Sequence, residues 1–130
     1  MPETTTTHIS GVRTIAVPVL DQETALTFYV EKLGFEKRFD TGFRDRERWI
    51  EVAPPGAETT IALVRPSEGQ AAGIDTGVRL ETDDADTDHA DLRARGVGVD
   101  PEILRWPGVP AMFSLRDPDG NRLVVIGRGG

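Results

Sequence analysis

The sequence lacks cysteine, and no apolar run in its 130 residues approaches the length of a membrane span. Without cysteine there can be no disulfide bond, thiolate metal site or cysteine nucleophile. A transmembrane helix needs about 18 or more consecutive apolar residues, so no such segment is expected. The N-terminal stretch MPETTTTHIS has neither the basic nor the apolar region of a secretory signal peptide. We therefore expect a cytoplasmic protein.

Basic charge is also scarce. The 15 Lys and Arg residues are outnumbered by 22 Asp and Glu residues, which gives a net charge of −7. Nucleic acids and anionic membranes are bound by basic surfaces, so neither is expected as a partner. An acidic surface suits a cationic ligand, although it can also serve only solubility. The chain length fits one domain, or two small modules that share a core.

The first half of the sequence predicts a strand, a helix and three further strands. Apolar residues alternate with others from Thr14 to Val19, which indicates a half-buried strand, and Pro18 favours a sheet edge or a strand end. Asp21 is a suitable helix N-cap and Gly34 a suitable stop. The helix between them has an apolar stripe of Ala25, Phe28, Tyr29 and Leu33. Further strands are expected around residues 36–39, 49–53 and 60–64.

The same pattern then repeats after a Gly/Ala/Pro-rich connector. Val78 and Leu80 indicate a strand, and a helix capped in the Asp83-Asp84 region follows before a final hairpin over residues 111–116 and 122–126. The two helix-ending glycines, Gly34 and Gly96, are 62 positions apart. A repeat of this length predicts two βαβββ modules.

The expected boundaries follow from this repeat. They are a flexible leader over residues 1–10, a first module over 11–64, a linker over 65–75, a second module over 76–127 and a tail over 128–130.

Two stretches carry a resemblance to a known family. They are VPVLDQETALTFYVEKLGFEKRF in the first module and FSLRDPDGNRLVVI in the second. The patterns LDxxxALxFYxxxLGF and DPDGN are specific in combination, and the chain resembles the vicinal oxygen chelate superfamily from residue 11 to residue 126. That superfamily includes glyoxalase I, the bleomycin-resistance proteins and the extradiol dioxygenases. The resemblance implies an α+β fold of two tandem βαβββ modules whose mixed sheets curl into a cup, often completed across a homodimer.

The resemblance also implies four positions for metal ligands. Catalytic members of the superfamily hold a divalent metal with His, Glu or Gln at positions that correspond here to Thr14, Ala62, Gly77 and Val124. Divalent metals in such sites need oxygen and imidazole donors, and none of these four residues is a competent ligand. His8 lies in the leader, and His89 shares a helix face with apolar residues, so it is expected to pack rather than to ligate. We expect no metal and no other cofactor.

Strand alternation instead predicts a ligand-binding face inside the cup. Trp49 and Glu51 alternate with apolar residues in one strand, and Arg79 and Glu81 do so in another. The Pro/Gly-rich segment over residues 104–113 has the composition of a flap beside a cavity. The predicted ligand-binding residues are Trp49, Glu51, Arg79, Trp106, Met112 and Phe113. The alternative is that Arg79 and Glu81 form a satisfied cross-strand ion-pair set and that the aromatic residues fill module or dimer interfaces.

The leading hypothesis is a metal-independent small-molecule binding protein of the bleomycin-resistance type, acting as a homodimer. A second hypothesis is a metal-free lyase or isomerase that uses Glu51 or Glu81 as its general base. A third is a glyoxalase-like metal site with atypical donors, and a fourth is a binding or regulatory module without catalysis.

Overall fold

The first module forms one four-stranded mixed sheet with a helix on one face. The computed structural model describes residues 7–128, so the first six leader residues and the last two tail residues lie outside the described part. The elements are β1 (Thr14–Pro18), α1 (Gln22–Thr27) with a π-helical continuation (Phe28–Lys32), β2 (Glu36–Gly42), β3 (Arg48–Ala53) and β4 (Thr60–Val64). The strand order is β1-β4-β3-β2, in which β1 is parallel to β4 and the other pairs are antiparallel. Pro18 therefore ends an edge strand, as predicted.

The second module repeats this arrangement. Its elements are β5 (Asp75–Thr82), α2 (Ala85–Ala94), β6 (Gly98–Val99), β7 (Met112–Arg116) and β8 (Arg122–Gly127). The order β5-β8-β7-β6, with β5 parallel to β8, is the order of the first sheet. The α+β fold of two βαβββ modules is confirmed. No helix within residues 7–128 is long and apolar enough to cross a bilayer.

Local interactions explain where the helices begin and end. The carboxylate of Asp21 accepts a hydrogen bond from the backbone N–H of Thr24 at 2.9 Å. Asp84 accepts the equivalent bond from Thr87 at 3.0 Å, so both helices have the predicted N-cap. Gly34 follows the first helix with a φ of 76°, a conformation that glycine adopts at little cost.

Each sheet buries the face that its helix covers. In the first sheet Val17, Ile50 and Leu63 are fully buried on this face. In the second sheet Leu115 and Leu123 hold the same place. The buried residues of both modules form one continuous hydrophobic cluster, so the two modules share a core.

A buried polar cluster joins the modules. The hydroxyl of Tyr29 donates to the carboxylate of Asp117 at 3.0 Å. The side-chain amide of Asn121 donates to the same carboxylate at 3.0 Å and to the carbonyl of Pro18 at 2.8 Å. Its oxygen accepts the backbone N–H of Gly73 at 2.8 Å. The two sequence stretches that carry the family resemblance are thus in direct contact.

Candidate functional site

The four positions at which the resemblance implies metal ligands lie in β1, β4, β5 and β8. Ala62, Gly77 and Val124 have no side-chain atom that can bind a metal, and Thr14 offers one neutral hydroxyl. Within residues 7–128, no group of three or more His, Cys, Asp or Glu side chains is arranged to hold a metal ion. A divalent metal requires several oxygen or nitrogen donors, so the residues at these positions do not fit one.

A carboxylate lies one strand away from the second of these positions. Glu51 in β3 is paired with Ala62 in β4, and only 2% of its surface is exposed. One oxygen, Oε2, accepts a hydrogen bond from the indole N–H of Trp49 at 2.8 Å. The other, Oε1, accepts a hydrogen bond from the hydroxyl of Thr60 at 2.8 Å. The guanidinium of Arg13 approaches Oε2 at 3.3 Å. We call this arrangement the Glu51 site.

These neighbours control the ionisation of Glu51. Burial acts to raise its pKa, because a charged group loses hydration there. The hydrogen bonds from Trp49 and Thr60 and the positive charge of Arg13 outweigh burial, so the pKa of Glu51 lies below its usual value. Glu51 is therefore a fixed anion at neutral pH. A lowered pKa makes a weak general base, which is the opposite of what the lyase or isomerase hypothesis requires of this residue.

Aromatic side chains surround the carboxylate. The rings of Trp49 and Phe43 meet edge to face with their centroids 5.5 Å apart, and the Arg44 guanidinium lies 4.7 Å from the centroid of Phe43. Phe39 in β2 is paired directly with Glu51 and remains partly exposed. A buried anion beside exposed aromatic surface is a combination that small-molecule sites use.

The sequence did not predict four of the residues at or next to the Glu51 site, which are Arg13, Phe39, Phe43 and Thr60. Odd-numbered residues from Phe39 to Phe43 share a face if the strand alternates regularly. The pairing of that face with Glu51, however, depends on a shift of register between Lys37 and Phe39. Such a bulge shifts by one residue the β3 partner that every later β2 residue faces, and the sequence contains no clear signal for it.

Arg79 and Glu81 lie outside the Glu51 site. They line a cleft of about 470 Å³ between β5 and the turn around Pro54, and this cleft includes neither Trp49 nor Glu51. Glu81 forms an exposed ion pair with Arg128 at 3.2 Å. Arg79 donates to the carbonyl of Gly77 at 3.2 Å. Glu81 is thus partnered, though not with Arg79 as the alternative interpretation suggested.

The predicted flap residues are also separated from the Glu51 site. Trp106 is 67% exposed and lines a groove of about 550 Å³ next to the first turn of α2. Arg105 and Asp86, which form an ion pair, also line this groove. Met112 is half-buried at the start of β7, where its backbone pairs with that of Leu104.

Phe113 points toward the helix. It is paired with Val125 rather than Val124, and it is 2% exposed within the core. Its ring meets the ring of His89 edge to face at 5.0 Å, and the Nε2 atom of His89 lies 2.7 Å from the carbonyl oxygen of Asp100. His89 therefore packs inside the module, as expected. Of the six predicted ligand-binding residues, the structure brings only Trp49 and Glu51 into contact.

Comparison with known proteins identifies related chains. The sequence model of the family described as "Glyoxalase/Bleomycin resistance protein/Dioxygenase superfamily" matches residues 11–125. The uncharacterized protein YetH of Bacillus subtilis (strain 168) is 33% identical over 124 residues, which cover 90% of this chain and 98% of YetH.

Solved structures are similar over nearly the whole chain. A member of the glyoxalase/bleomycin resistance protein/dioxygenase superfamily from Sphaerobacter thermophilus DSM 20745 superposes with a TM-score of 0.87 at 37% identity, covering 92% of this chain and 98% of that one. TnmS3, an antibiotic binding protein from Streptomyces sp. CB03234, superposes with a TM-score of 0.84 at 38% identity, covering 95% and 100%.

Proposed function

Because the chain belongs to the glyoxalase/bleomycin resistance protein/dioxygenase superfamily, we propose that it is a metal-independent binding protein for a small organic molecule. The observation that carries this proposal is the Glu51 site, where a buried, ionised carboxylate lies beside Trp49 on the sheet face of Ala62. The similarity to TnmS3, which binds an antibiotic, supports a ligand of comparable type.

The residues favour binding over catalysis. Thr14, Ala62, Gly77 and Val124 leave a substrate no metal to chelate. The lowered pKa of Glu51 suits an anion that orients or neutralises a ligand, whereas a general base works best with a pKa near the operating pH.

We further propose that a second copy of the chain completes the binding cup. Large apolar side chains remain exposed in both modules, and a second copy of the chain would cover such side chains. They include Phe39 and Phe43 beside the Glu51 site and Leu104 and Val109 in the second module. A homodimer is expected in sedimentation equilibrium, and a monomer at all concentrations would contradict this part of the proposal.

The binding proposal is tested by thermal unfolding of the chelator-dialysed protein with a panel of bleomycin and planar aromatic antibiotics. A ligand at 100 times its Kd should stabilise the protein by about 2.7 kcal/mol. Binding is expected to persist in EDTA and to weaken in Trp49→Phe, while the matched variant Trp106→Phe binds normally. The proposal fails if no compound stabilises the protein. It also fails if a compound stabilises the protein only after a divalent metal has been added back.

A further inference from the structure

The Glu51 site already contains a cation supplied by the chain itself. Arg13 precedes β1, and its guanidinium approaches the Oε2 atom of this almost fully buried carboxylate. The side chain of Arg13 is 73% exposed, against 3% for the side chain of Glu51.

The contacts of Glu51 differ in length. Trp49 and Thr60 donate at 2.8 Å, which is within the range of a strong hydrogen bond. Both nitrogens of Arg13 that approach the carboxylate do so at 3.3 Å and reach the same oxygen, so the paired geometry of a bidentate Arg–carboxylate contact is absent from this pair. Trp49 and Thr60 therefore fix the anion, while Arg13 is held weakly.

Arg13 can also leave without disturbing the sheet. Its carbonyl accepts the backbone N–H of Thr60 at 2.9 Å, so its main chain stays anchored at the start of β4. The neighbouring carbonyl of Val12 accepts the hydroxyl of Thr59 at 2.8 Å. Only the long side chain has to rotate into solvent.

The surroundings indicate what would replace Arg13. A neutral molecule there would leave a buried carboxylate without a cation, which is costly. The aromatic rings of Trp49 and Phe43 offer faces on which a planar cation can stack. Arg44 already lies over the Phe43 ring at 4.7 Å, so the Phe43 ring does accept a guanidinium. On the same sheet face Ala62, the cross-strand partner of Glu51, is fully buried, whereas its own partner Ala16 is small and exposed, so the open part of this face lies over Ala16.

We propose that Arg13 occupies the place of a cationic group of the ligand, and that an organic cation with a planar aromatic body displaces it from Glu51. This inference rests on the proposed function, because it assigns the chemical class of ligand to the same site. Arg13 acts as an internal competitor, and its removal makes the site more available.

The test uses benzamidine, a planar aromatic cation, and benzamide, its neutral analogue of the same shape. Binding is followed by Trp49 fluorescence in a Trp106→Phe background, so that the signal comes from one indole. Hydrogen bonds to charged groups are worth more than neutral ones, and benzamidine is expected to bind about tenfold more tightly than benzamide. Glu51→Gln should remove this preference.

Replacing Arg13 tests the displacement. An exposed ion pair typically contributes about 0.2–1 kcal/mol, which corresponds to roughly two- to sixfold tighter benzamidine binding once the competitor is gone. Arg13→Gln is expected to show this gain. Arg93→Gln, which makes the same change of net charge on the exposed surface of α2, should not. In the unmodified protein, the Arg13 side-chain N–H resonance should shift during the titration, whereas that of Arg93 should not.

Three results would overturn the inference. They are equal binding of benzamidine and benzamide, unchanged benzamidine affinity in Arg13→Gln, and an unmoved Arg13 resonance at saturation. If Glu51→Gln fails to fold, the comparison of Arg13→Gln with Arg93→Gln still decides the question. If the inference about Arg13 is overturned, the proposed function still stands when the antibiotic panel contains a binder. The inference and the proposed function fail together only when the panel contains none.

Discussion

Replacing Tyr29 with phenylalanine should measure how strongly the two modules are joined. The change removes one hydroxyl group and keeps the ring, which is fully buried and packs against Phe28 and Phe35. The hydroxyl donates to Asp117 across 88 positions of sequence, from the first module to the second. Burial and the adjacent Asp117 carboxylate raise the pKa of Tyr29, so the hydroxyl stays protonated and remains a donor at any ordinary pH.

The expected loss follows from the contacts that remain. A buried hydrogen bond to a charged group contributes about 1.5–3 kcal/mol. Asp117 keeps the side-chain amide of Asn121 and the backbone N–H groups of Asp119 and Asn121, so its carboxylate is not left without donors. We therefore expect the lower end, about 1.5 kcal/mol. For a chain of this size that corresponds to a fall in Tm of about 6 °C.

The assay is urea unfolding followed by circular dichroism at one fixed protein concentration, because association would make the midpoint depend on concentration. Asp117→Asn is the matched partner for a double-mutant cycle, since it keeps the shape and removes the charge. Tyr29→Phe is expected to cost clearly less in that background, with a coupling of about 1 kcal/mol. A loss below about 0.3 kcal/mol in the native background, or the same loss in both backgrounds, would refute the role given to this bond.

Two further predictions concern residues close to Asp117, namely Gly73 and Asp119. Gly73 has a φ of 80°, and a Cβ there would lie 3.0 Å from the carbonyl oxygen of Asp119; Gly69 has a φ of 82° with nothing within 4 Å. In thermal melts, Gly69→Ala should lower the free energy of unfolding by roughly 1–2 kcal/mol, because it adds only the strain of a positive φ. Gly73→Ala should lower it further, and equal losses would contradict the steric argument. Burial, with the neighbouring Asp117 and Asp21 carboxylates, raises the pKa of Asp119, although the backbone N–H of Leu20 opposes this shift. Protonated Asp119 thus adds stability to the fold below its unfolded pKa of about 3.9, and this stability is lost as the pH rises through the higher folded pKa. Asp119→Asn should therefore stabilise the protein at neutral pH and do so progressively less toward pH ~4. A difference in urea midpoint that is constant or reversed with pH would contradict this sign.

The elements and the duplication could be predicted because their causes are local. The N-cap at Asp21, the stop at Gly34 and the alternation in β1 depend on neighbours within a few residues, and the second module repeats these signals. Once the family resemblance implies the four ligand positions, the sequence alone shows what occupies them, because residue identity decides whether a side chain carries a donor atom.

The residues around Glu51 could not all be predicted, because they depend on strand register and on contacts between residues far apart in the sequence. Phe113 faces the core because it is paired with Val125, and alternation alone does not reveal which neighbour across the strand a residue meets. Alternation predicts that Trp49 and Glu51 share a face, yet the register shift in β2 decides that Phe39 adjoins them.

The sequence by itself therefore determined the module, its repeat and which residues occupy the four positions at which the family resemblance implies metal ligands, since these follow from short-range patterns and from chemical identity. The tertiary structure decided which residues surround Glu51. Arg13 is 38 positions from Glu51, and only the parallel pairing of β1 with β4 brings the start of β1 beside the carboxylate. Long-range pairing of this kind is fixed by the packing of the whole sheet, which no local pattern encodes.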